Sequence, residues 1–147
     1  MPKCKDVMTQ NPVACEPGDS VVRAAEIMKR EDVGPVPVVE SQSSKKLVGI
    51  VTDRDLVVKI MAGGRSVEQA KVSEAMTANP ACCREEDDVD TAMQLMADRQ
   101  VRRVPIVDDG GRLAGIIAQA DVATRVNRDN KTGQLVEAIS ETGTSRR

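Results

Sequence analysis

The feature that most constrains the fold of this chain is an internal repeat. When the 147-residue sequence is displaced against itself by 68 positions, long ordered stretches match, and the displacement changes to 66 beyond the polar segment 40–46. A surface loop absorbs such a two-residue insertion at little cost. The matched segments are 6–12 with 74–80, 33–38 with 101–106, and 47–50 with 113–116. The chain is therefore a tandem pair of units of roughly sixty residues each.

Both repeats have the same predicted order of elements, and the apolar periodicity of each segment distinguishes strand from helix. The first helix of each repeat is capped by Asp19 or Ser20 and by Asp87 or Asp88. The other predicted elements are strands at 12–15, 36–39 and 47–51 with a helix at 53–62, and strands at 80–83, 104–107 and 113–117 with a helix at 120–127. This order predicts an α+β fold of tandem β-α-β-β-α repeats.

The same pattern divides the chain along its length. We assign residues 1–63 to the first repeat, 64–72 to a connector and 73–128 to the second repeat. Residues 129–147 are predicted to form a C-terminal helix, with apolar positions between 132 and 140, and a frayed tail.

The stretch 49–56 carries the most informative local chemistry, because it runs from a buried strand straight into a helix. Thr52 is a good N-cap, and Asp55 stands three residues later, as in a capping box. A helix start presents free N–H groups that favour anions, and a carboxylate there can accept hydrogen bonds from ribose hydroxyls. A plain helix cap uses the same residue types, so the pattern permits both a ligand site and a cap alone.

Composition limits the possible functions. The net charge is -2, and the sequence has no His, Phe, Tyr or Trp. A near-neutral chain without aromatic rings is a poor candidate for nucleic-acid binding, and we also expect no membrane binding. Without His, the commonest general base is missing, so we expect no enzyme and no catalytic residues. The first six residues have no apolar signal segment, so we expect a cytoplasmic protein.

The ordered motifs resemble those of cystathionine-β-synthase-type (CBS) domains, and their duplication resembles a CBS domain pair, or Bateman module. The motifs are Asp-Val-Met-Thr-x-x-Pro at 6–12, Val-x-x-x-Pro-Val, and Leu-Val-Gly-Ile-Val-Thr-x-x-Asp-Leu at 47–56. The resemblance covers roughly residues 3–127. It implies repeats packed sheet to sheet around a pseudo-twofold axis, two clefts that bind adenine nucleotides, and frequent homodimers.

The resemblance implies a nucleotide site in each cleft. The first would place Thr52 and Asp55 on phosphate and ribose and Ile50 against the base, while Arg102 and Arg103 meet a phosphate. Its other residues are Thr77, Cys82 and Val101. The second, which we expect to be weaker because Ala118 replaces the capping Thr, comprises Thr9, Ala14, Val33, Gly34, Ile116 and Asp121.

We interpret the four cysteines as mainly structural. Cys15 and Cys83 hold equivalent strand positions, and Cys4 aligns with Val72 in an apolar position. Acidic residues 85–88 suit the start of a helix, so we predict no metal site there.

The expected function is that of a stand-alone regulatory protein that binds AMP, ADP, ATP or a related adenosyl ligand and signals to an unknown protein partner. The nucleotide would be a regulatory ligand, and no cofactor is required. The alternatives are a ligand-free dimeric interaction scaffold of the same fold and, less favoured, an enzyme with an adenosyl substrate. In either regulatory reading we expect a homodimer.

Overall fold

The computed structural model describes residues 2–130, with side chains as far as residue 124. The helices are α1 (Cys4–Val7), α2 (Val21–Glu31), α3 (Asp53–Asp55), α4 (Val89–Arg99) and α5 (Gln119–Asn130). A π-helical segment, Leu56–Met61, follows α3 directly, and Val72–Glu74 forms a 3₁₀ turn. The strands are β1 (Thr9–Gln10), β2 (Pro35–Val39), β3 (Leu47–Thr52), β4 (Thr77–Ala78), β5 (Cys83–Arg84), β6 (Arg103–Val107) and β7 (Leu113–Ala118). The predicted α+β class and tandem repeat are confirmed.

The chain forms two compact units, which differ from the linear division into repeats. Residues 12–80 and 110–113 form what we call the central unit, and the described residues of the terminal unit are 2–11, 81–109 and 114–130. The start of the chain therefore belongs with the second repeat, while residues 73–80 belong with the first. Strand pairing between distant segments produces this exchange.

Each unit contains one sheet. In the central unit the order is β2-β3-β4, with both pairs antiparallel, and Cys15 adds a single parallel bridge to Val38. In the terminal unit the order is β1-β7-β6-β5, with β1 antiparallel to β7 and β5 parallel to β6. Thr77 lies opposite Ile50 in the first sheet, and Thr9 lies opposite Ile116 in the second. The repeated sequence motifs therefore build the same local pairing twice.

The glycine of each Leu-x-Gly-Ile motif permits these short strands to approach. A Cβ atom on Gly49 would lie 2.7 Å from the sulfur of Met76, and one on Gly115 would lie 2.5 Å from the sulfur of Met8. Both distances are too short for a side chain to occupy. The Met-Thr motif of one repeat thus packs on the glycine of the other.

Each unit has its own buried apolar cluster, which forms the core of that unit. In the central unit Ile27, Val36, Val38, Val51 and Ile60 are at most 1% exposed. The terminal unit has an equivalent cluster, which includes Cys4, Cys83, Met96, Ile106 and Ile117. Helix α2 contributes buried Val21 and Ala24 to the first cluster, and α4 contributes Val89 and Ala92 to the second.

The strand predicted at 12–15 was wrong, because within that segment only Cys15 forms a β-bridge. In the second repeat the strand was predicted at 80–83, but β5 begins only at Cys83, the last of those residues. Asn11 and Asn79 have positive φ angles of 50° and 51°, so the chain turns just before each proline. Strands β1 and β4 both end before this turn, so neither Pro12 nor Pro80 lies in a strand. The helix predicted between 132 and 140 lies outside the described residues.

Candidate functional site

The start of the helix at Thr52 is a complete capping box. The Asp55 N–H donates to Thr52 Oγ1 at 3.1 Å, and the Thr52 N–H donates to Asp55 Oδ2 at 2.9 Å. Two N–H groups that a helix start would leave unsatisfied are therefore paired with side chains. The capping interpretation is confirmed by these contacts.

The second oxygen of the Asp55 carboxylate faces a cation. Lys59 Nζ lies 3.3 Å from Asp55 Oδ1 and donates to the carbonyl oxygen of Ala75 at 3.0 Å. The Asp55 side chain is only 16% exposed, so this ion pair is better shielded from water than a typical surface pair. Sequence analysis did not single out Lys59, although its position four residues after Asp55 on a helix is a recognisable signal.

Ile50, Thr52 and Thr77 extend the same region of the central unit. Ile50 and Thr52 alternate with buried Val51 along β3, so they lie on the less buried face of the sheet, and Thr77 is paired with Ile50. One aliphatic side chain, two hydroxyls and one carboxylate thus occur along one strand, its neighbour and the helix that follows.

Two residues assigned to the second site also lie in the central unit, near this helix start. The Asp53 N–H donates to the carbonyl oxygen of Gly34 at 3.2 Å, and Val33 precedes Gly34. A Cβ atom on Gly34 would lie 3.2 Å from Asp53 Oδ1. A larger residue at position 34 would therefore press on the Asp53 carboxylate.

The terminal unit repeats this arrangement with different side chains. Gln119 N–H donates to the carbonyl oxygen of Arg102 at 2.9 Å, the counterpart of the Asp53 contact. Thr9 pairs with Ile116, and Asp121 lies in the first turn of α5. Ala118 has no hydroxyl to cap the helix, so the reciprocal pair of the central unit is not reproduced here.

The remaining residues of the first predicted site belong to the terminal unit. Arg102 and Arg103 are half-buried, Val101 is exposed, and Cys82 is exposed next to buried Cys83. Partial desolvation raises the pKa of the Cys82 thiol, so it stays mainly protonated at neutral pH. Asp98, an acidic residue near the end of α4, accepts a hydrogen bond from Gln94 Nε2 at 2.9 Å.

Ala14, assigned to the second site, is 7% exposed and packs in the central unit with Val39, Leu113 and the partly buried Leu47. Its carbonyl oxygen accepts a hydrogen bond from Gln42 Nε2 at 2.9 Å. Its side chain is therefore part of a small apolar cluster.

Each predicted site draws its residues from both units. The central unit brings together Ile50, Thr52, Asp55 and Thr77 from the first site with Val33, Gly34 and Ala14 from the second. The terminal unit contains Cys82, Val101, Arg102 and Arg103 from the first site with Thr9, Ile116 and Asp121 from the second. The assignment of these residues to ligand contacts stays a prediction.

Among the side chains of residues 2–124, three or more potential metal ligands nowhere cluster closely enough to hold an ion. None of the helices in the same range has the length and apolar character that a membrane span requires.

Comparison with known proteins identifies the repeat. The family model described as "CBS domain" matches residues 4–62 and again residues 72–128. The uncharacterized protein YlbB of Bacillus subtilis is 38% identical over 141 residues, which cover 96% of this chain and 93% of YlbB.

Two solved structures of similar proteins contain adenosyl ligands. CBSX2, a CBS-pair protein of Arabidopsis thaliana, was solved in complex with AMP. It has a TM-score of 0.75 and 27% identity, with 87% of this chain and 98% of that one covered. The CBS domain pair of protein MJ0100 was solved with 5′-methylthioadenosine and S-adenosyl-L-methionine. It has a TM-score of 0.71 and 26% identity, with 87% of this chain and 98% of that one covered.

Proposed function

Because the chain belongs to the CBS-domain family, we propose that it is a regulatory protein whose ligand is an adenine nucleotide, such as AMP, ADP or ATP, or a related adenosyl compound. Groups from both repeats contribute to binding in this proposal. AMP in CBSX2 and S-adenosyl-L-methionine in the MJ0100 domain pair support the choice of ligand class.

The observation that carries the proposal is the chemistry grouped at the Thr52 helix start. Ile50 supplies an aliphatic surface for a base, Thr52 and Thr77 supply hydroxyls, and Asp55 supplies a carboxylate. A nucleotide needs an apolar contact for its base, acceptors for its ribose hydroxyls and donors for its phosphate. This small region of the central unit contains all three kinds of group.

The capping box leaves binding capacity on both of its side chains. Thr52 Oγ1 uses an acceptor lone pair for the Asp55 N–H, so its own O–H remains a donor for a ligand oxygen. A carboxylate offers about four lone-pair positions, and the Thr52 N–H and Lys59 engage one oxygen each. Asp55 can therefore accept a ribose hydroxyl without breaking the cap.

Arg102 and Arg103 are proposed to contact the phosphate of the ligand at the first site. Guanidinium groups form forked hydrogen bonds with phosphate oxygens, and two adjacent cations repel each other unless an anion lies nearby. The site with Asp121 is proposed to bind more weakly, because Ala118 offers no hydroxyl to a ligand.

We assign no reaction to the chain, since its sequence contains no histidine and its residues account better for binding than for turnover. In the proposed action, the nucleotide changes the equilibrium between two arrangements of the protein and so alters the surface that a partner protein contacts.

Isothermal titration calorimetry with AMP, ADP, ATP, adenosine and GMP tests the proposal. We expect saturable binding of at least one adenine nucleotide and weaker binding of GMP. Absence of heat and of any thermal stabilisation with all adenine compounds at millimolar concentration would refute it.

The second candidate is a ligand-free interaction scaffold. It is favoured by the reciprocal contacts of Thr52 and Asp55, which account for both side chains without a ligand. The same titrations distinguish the two, because a scaffold shows no saturable nucleotide binding.

A further inference from the structure

Lys59 joins two segments of the central unit that both lead to proposed ligand groups. It belongs to the π-helical segment Leu56–Met61, which follows directly after Asp55. Its Nζ lies 3.3 Å from Asp55 Oδ1 and donates to the carbonyl oxygen of Ala75 at 3.0 Å. Because Ala75 lies two residues before Thr77, a single ammonium group connects the Asp55 carboxylate to the segment that enters β4.

Buried apolar side chains support the backbone on both sides of this contact. Ile60, the residue after Lys59, is 1% exposed, and Val72 and Ala75 are 0% exposed. All three belong to the apolar cluster of the central unit. The core therefore packs the π-helical segment against residues 72–75, and this packing fixes the distance that the Lys59 side chain spans.

The Asp55 carboxylate is held at both of its oxygens. Oδ2 accepts the Thr52 N–H at 2.9 Å, and Oδ1 faces the Lys59 ammonium group. The side chain of Asp55 is 16% exposed, whereas that of Lys59 is 42% exposed. A carboxylate so far removed from water is costly to leave without a partner charge, and Lys59 supplies that charge. The pair thus fixes the plane of the carboxylate.

From this geometry we infer that Lys59 is a positioning residue for ribose recognition, and that it acts through Asp55. The inference rests on the proposed function and adds the part of the ligand that this residue governs, the ribose hydroxyls. With both oxygens held, the remaining lone pairs of the carboxylate keep one direction, and a hydroxyl meets an acceptor that is already oriented. Less conformational entropy is then lost on binding. Without the ammonium group the carboxylate can turn towards water.

A second ion pair bridges the same two segments without touching Asp55. Arg65 Nη1 pairs with Glu74 Oε1, and the Arg65 N–H donates to the carbonyl oxygen of Ile60 at 2.9 Å. Glu74 ends the 3₁₀ turn Val72–Glu74. Loss of the Arg65 side chain therefore weakens the link between the two segments but leaves the Asp55 carboxylate with both of its partners. This pair provides a matched control for a purely structural role of Lys59.

Calorimetric titration of the full chain with AMP and with 2′,3′-dideoxy-AMP measures ribose recognition. The wild type should bind AMP roughly tenfold more tightly, because the dideoxy compound cannot donate to a charged acceptor. Lys59→Met keeps the aliphatic chain, removes the charge and should reduce this preference by roughly two- to tenfold. Lys59→Gln, which retains a donor for the Ala75 carbonyl oxygen, should have the same effect and replaces Lys59→Met if that variant is unfolded.

A conservative replacement tests whether the charge is what matters. Lys59→Arg should retain most of the preference for AMP, because a guanidinium group can also pair with the Asp55 carboxylate. The sequence of the second repeat has Arg125 at the corresponding position, four residues after Asp121.

A double-mutant cycle tests whether Lys59 acts through Asp55. Asp55→Asn should reduce the preference for AMP over the dideoxy compound, and Lys59→Met added to it should cause no further reduction. Lys59→Met should weaken AMP and adenosine by the same factor, since both carry the ribose hydroxyls. Arg65→Met should lower the urea concentration at the midpoint of unfolding and leave the preference unchanged.

Several results would overturn the inference while AMP binding by the wild type upholds the proposed function. These are equal affinity of the wild type for AMP and the dideoxy compound, an unchanged preference in Lys59→Met, and an equal reduction in Arg65→Met. A larger loss for AMP than for adenosine in Lys59→Met would also overturn it, because Lys59 would then contact the phosphate. Absence of AMP binding by the wild type would refute the proposed function, and the inference with it.

Discussion

At the scale of single residues, Asp55 combines two roles. One carboxylate oxygen satisfies the Thr52 N–H at the helix start, and the other pairs with Lys59 at 3.3 Å. Its predicted ligand role adds a hydrogen bond to a group that is already held in place. Such fixed orientation reduces the entropy lost when a ligand binds.

The Asp55→Asn variant should weaken AMP binding by about 1–3 kcal/mol, because a charged acceptor for ribose hydroxyls is lost. Asp121→Asn should cause a smaller loss, since its site is predicted to be the weaker one. Calorimetric titration of purified variants gives both values. Asp53→Asn is the matched control, because Asp53 is an exposed carboxylate on the same helical turn.

Equal losses for Asp55→Asn and Asp121→Asn would contradict the predicted order of the two sites. A loss for Asp53→Asn as large as that for Asp55→Asn would show that the charge of the turn matters, and not the Asp55 carboxylate.

The arginine pair gives a second prediction at this scale. Arg102→Ala or Arg103→Ala should weaken AMP much more than adenosine, because only AMP carries the phosphate that the guanidinium groups would contact. The affinity of the wild type for AMP should also fall with added salt. Arg99→Ala, at the end of α4, serves as a control for general charge effects. Unchanged AMP affinity in both variants would leave the phosphate to Thr52 and the helix start.

At the scale of elements, the repeat and the helix caps were predictable from sequence because they depend on local spacing. Thr52 and Asp55 stand three residues apart, and the structure forms the capping box that this spacing indicates. Ser20 likewise caps α2 by accepting the Val22 N–H at 3.0 Å. Asp88 stands at the N-cap of α4 without a side-chain cap bond, so the residue type alone did not settle its contacts.

Features that depend on distant segments could not be predicted in this way. The pairing of Thr9 with Ile116 joins residues more than a hundred positions apart, and no local pattern specifies it. The π-helical turn, in which the Ala62 N–H donates to the Val57 carbonyl oxygen at 2.8 Å, has the same apolar spacing as an ordinary helix.

The capping contacts give a prediction for the stability of the protein. Thr52→Ala should lower the free energy of unfolding by about 0.5–2 kcal/mol, because the Asp55 N–H loses its acceptor. Ala118→Thr should raise it by a smaller amount, since it restores the Thr-x-x-Asp spacing before Asp121. Urea denaturation measures both changes. A destabilised Ala118→Thr variant would mean that the start of α5 cannot accept the capping geometry of the other copy.

At the scale of the whole molecule, the central unit exposes apolar side chains on one helical segment. Val57, Val58 and Met61 are 53%, 47% and 63% exposed. Neighbouring exposed apolar residues of this kind commonly mark an interaction surface. A second copy of the chain would provide an identical surface, which suits a symmetric contact.

We therefore predict a homodimer with a helical interface. Light scattering at micromolar concentration should give about twice the 15.8 kDa chain mass. Met61→Glu should shift the mass towards one chain, because it buries a charge in the contact. Val22→Glu, on α2, is the control and should leave the dimer intact. A wild-type mass near that of one chain would contradict the prediction.

The proposed function depends above all on binding of an adenine nucleotide at the Thr52 helix start. Titration of the ¹⁵N-labelled protein with AMP, followed by amide chemical shifts, tests binding and location together. We expect saturable shifts concentrated at Ile50, Thr52, Asp55 and Thr77, with a smaller response near Asp121. Amide shifts that do not change, or that change only far from these residues, would contradict it.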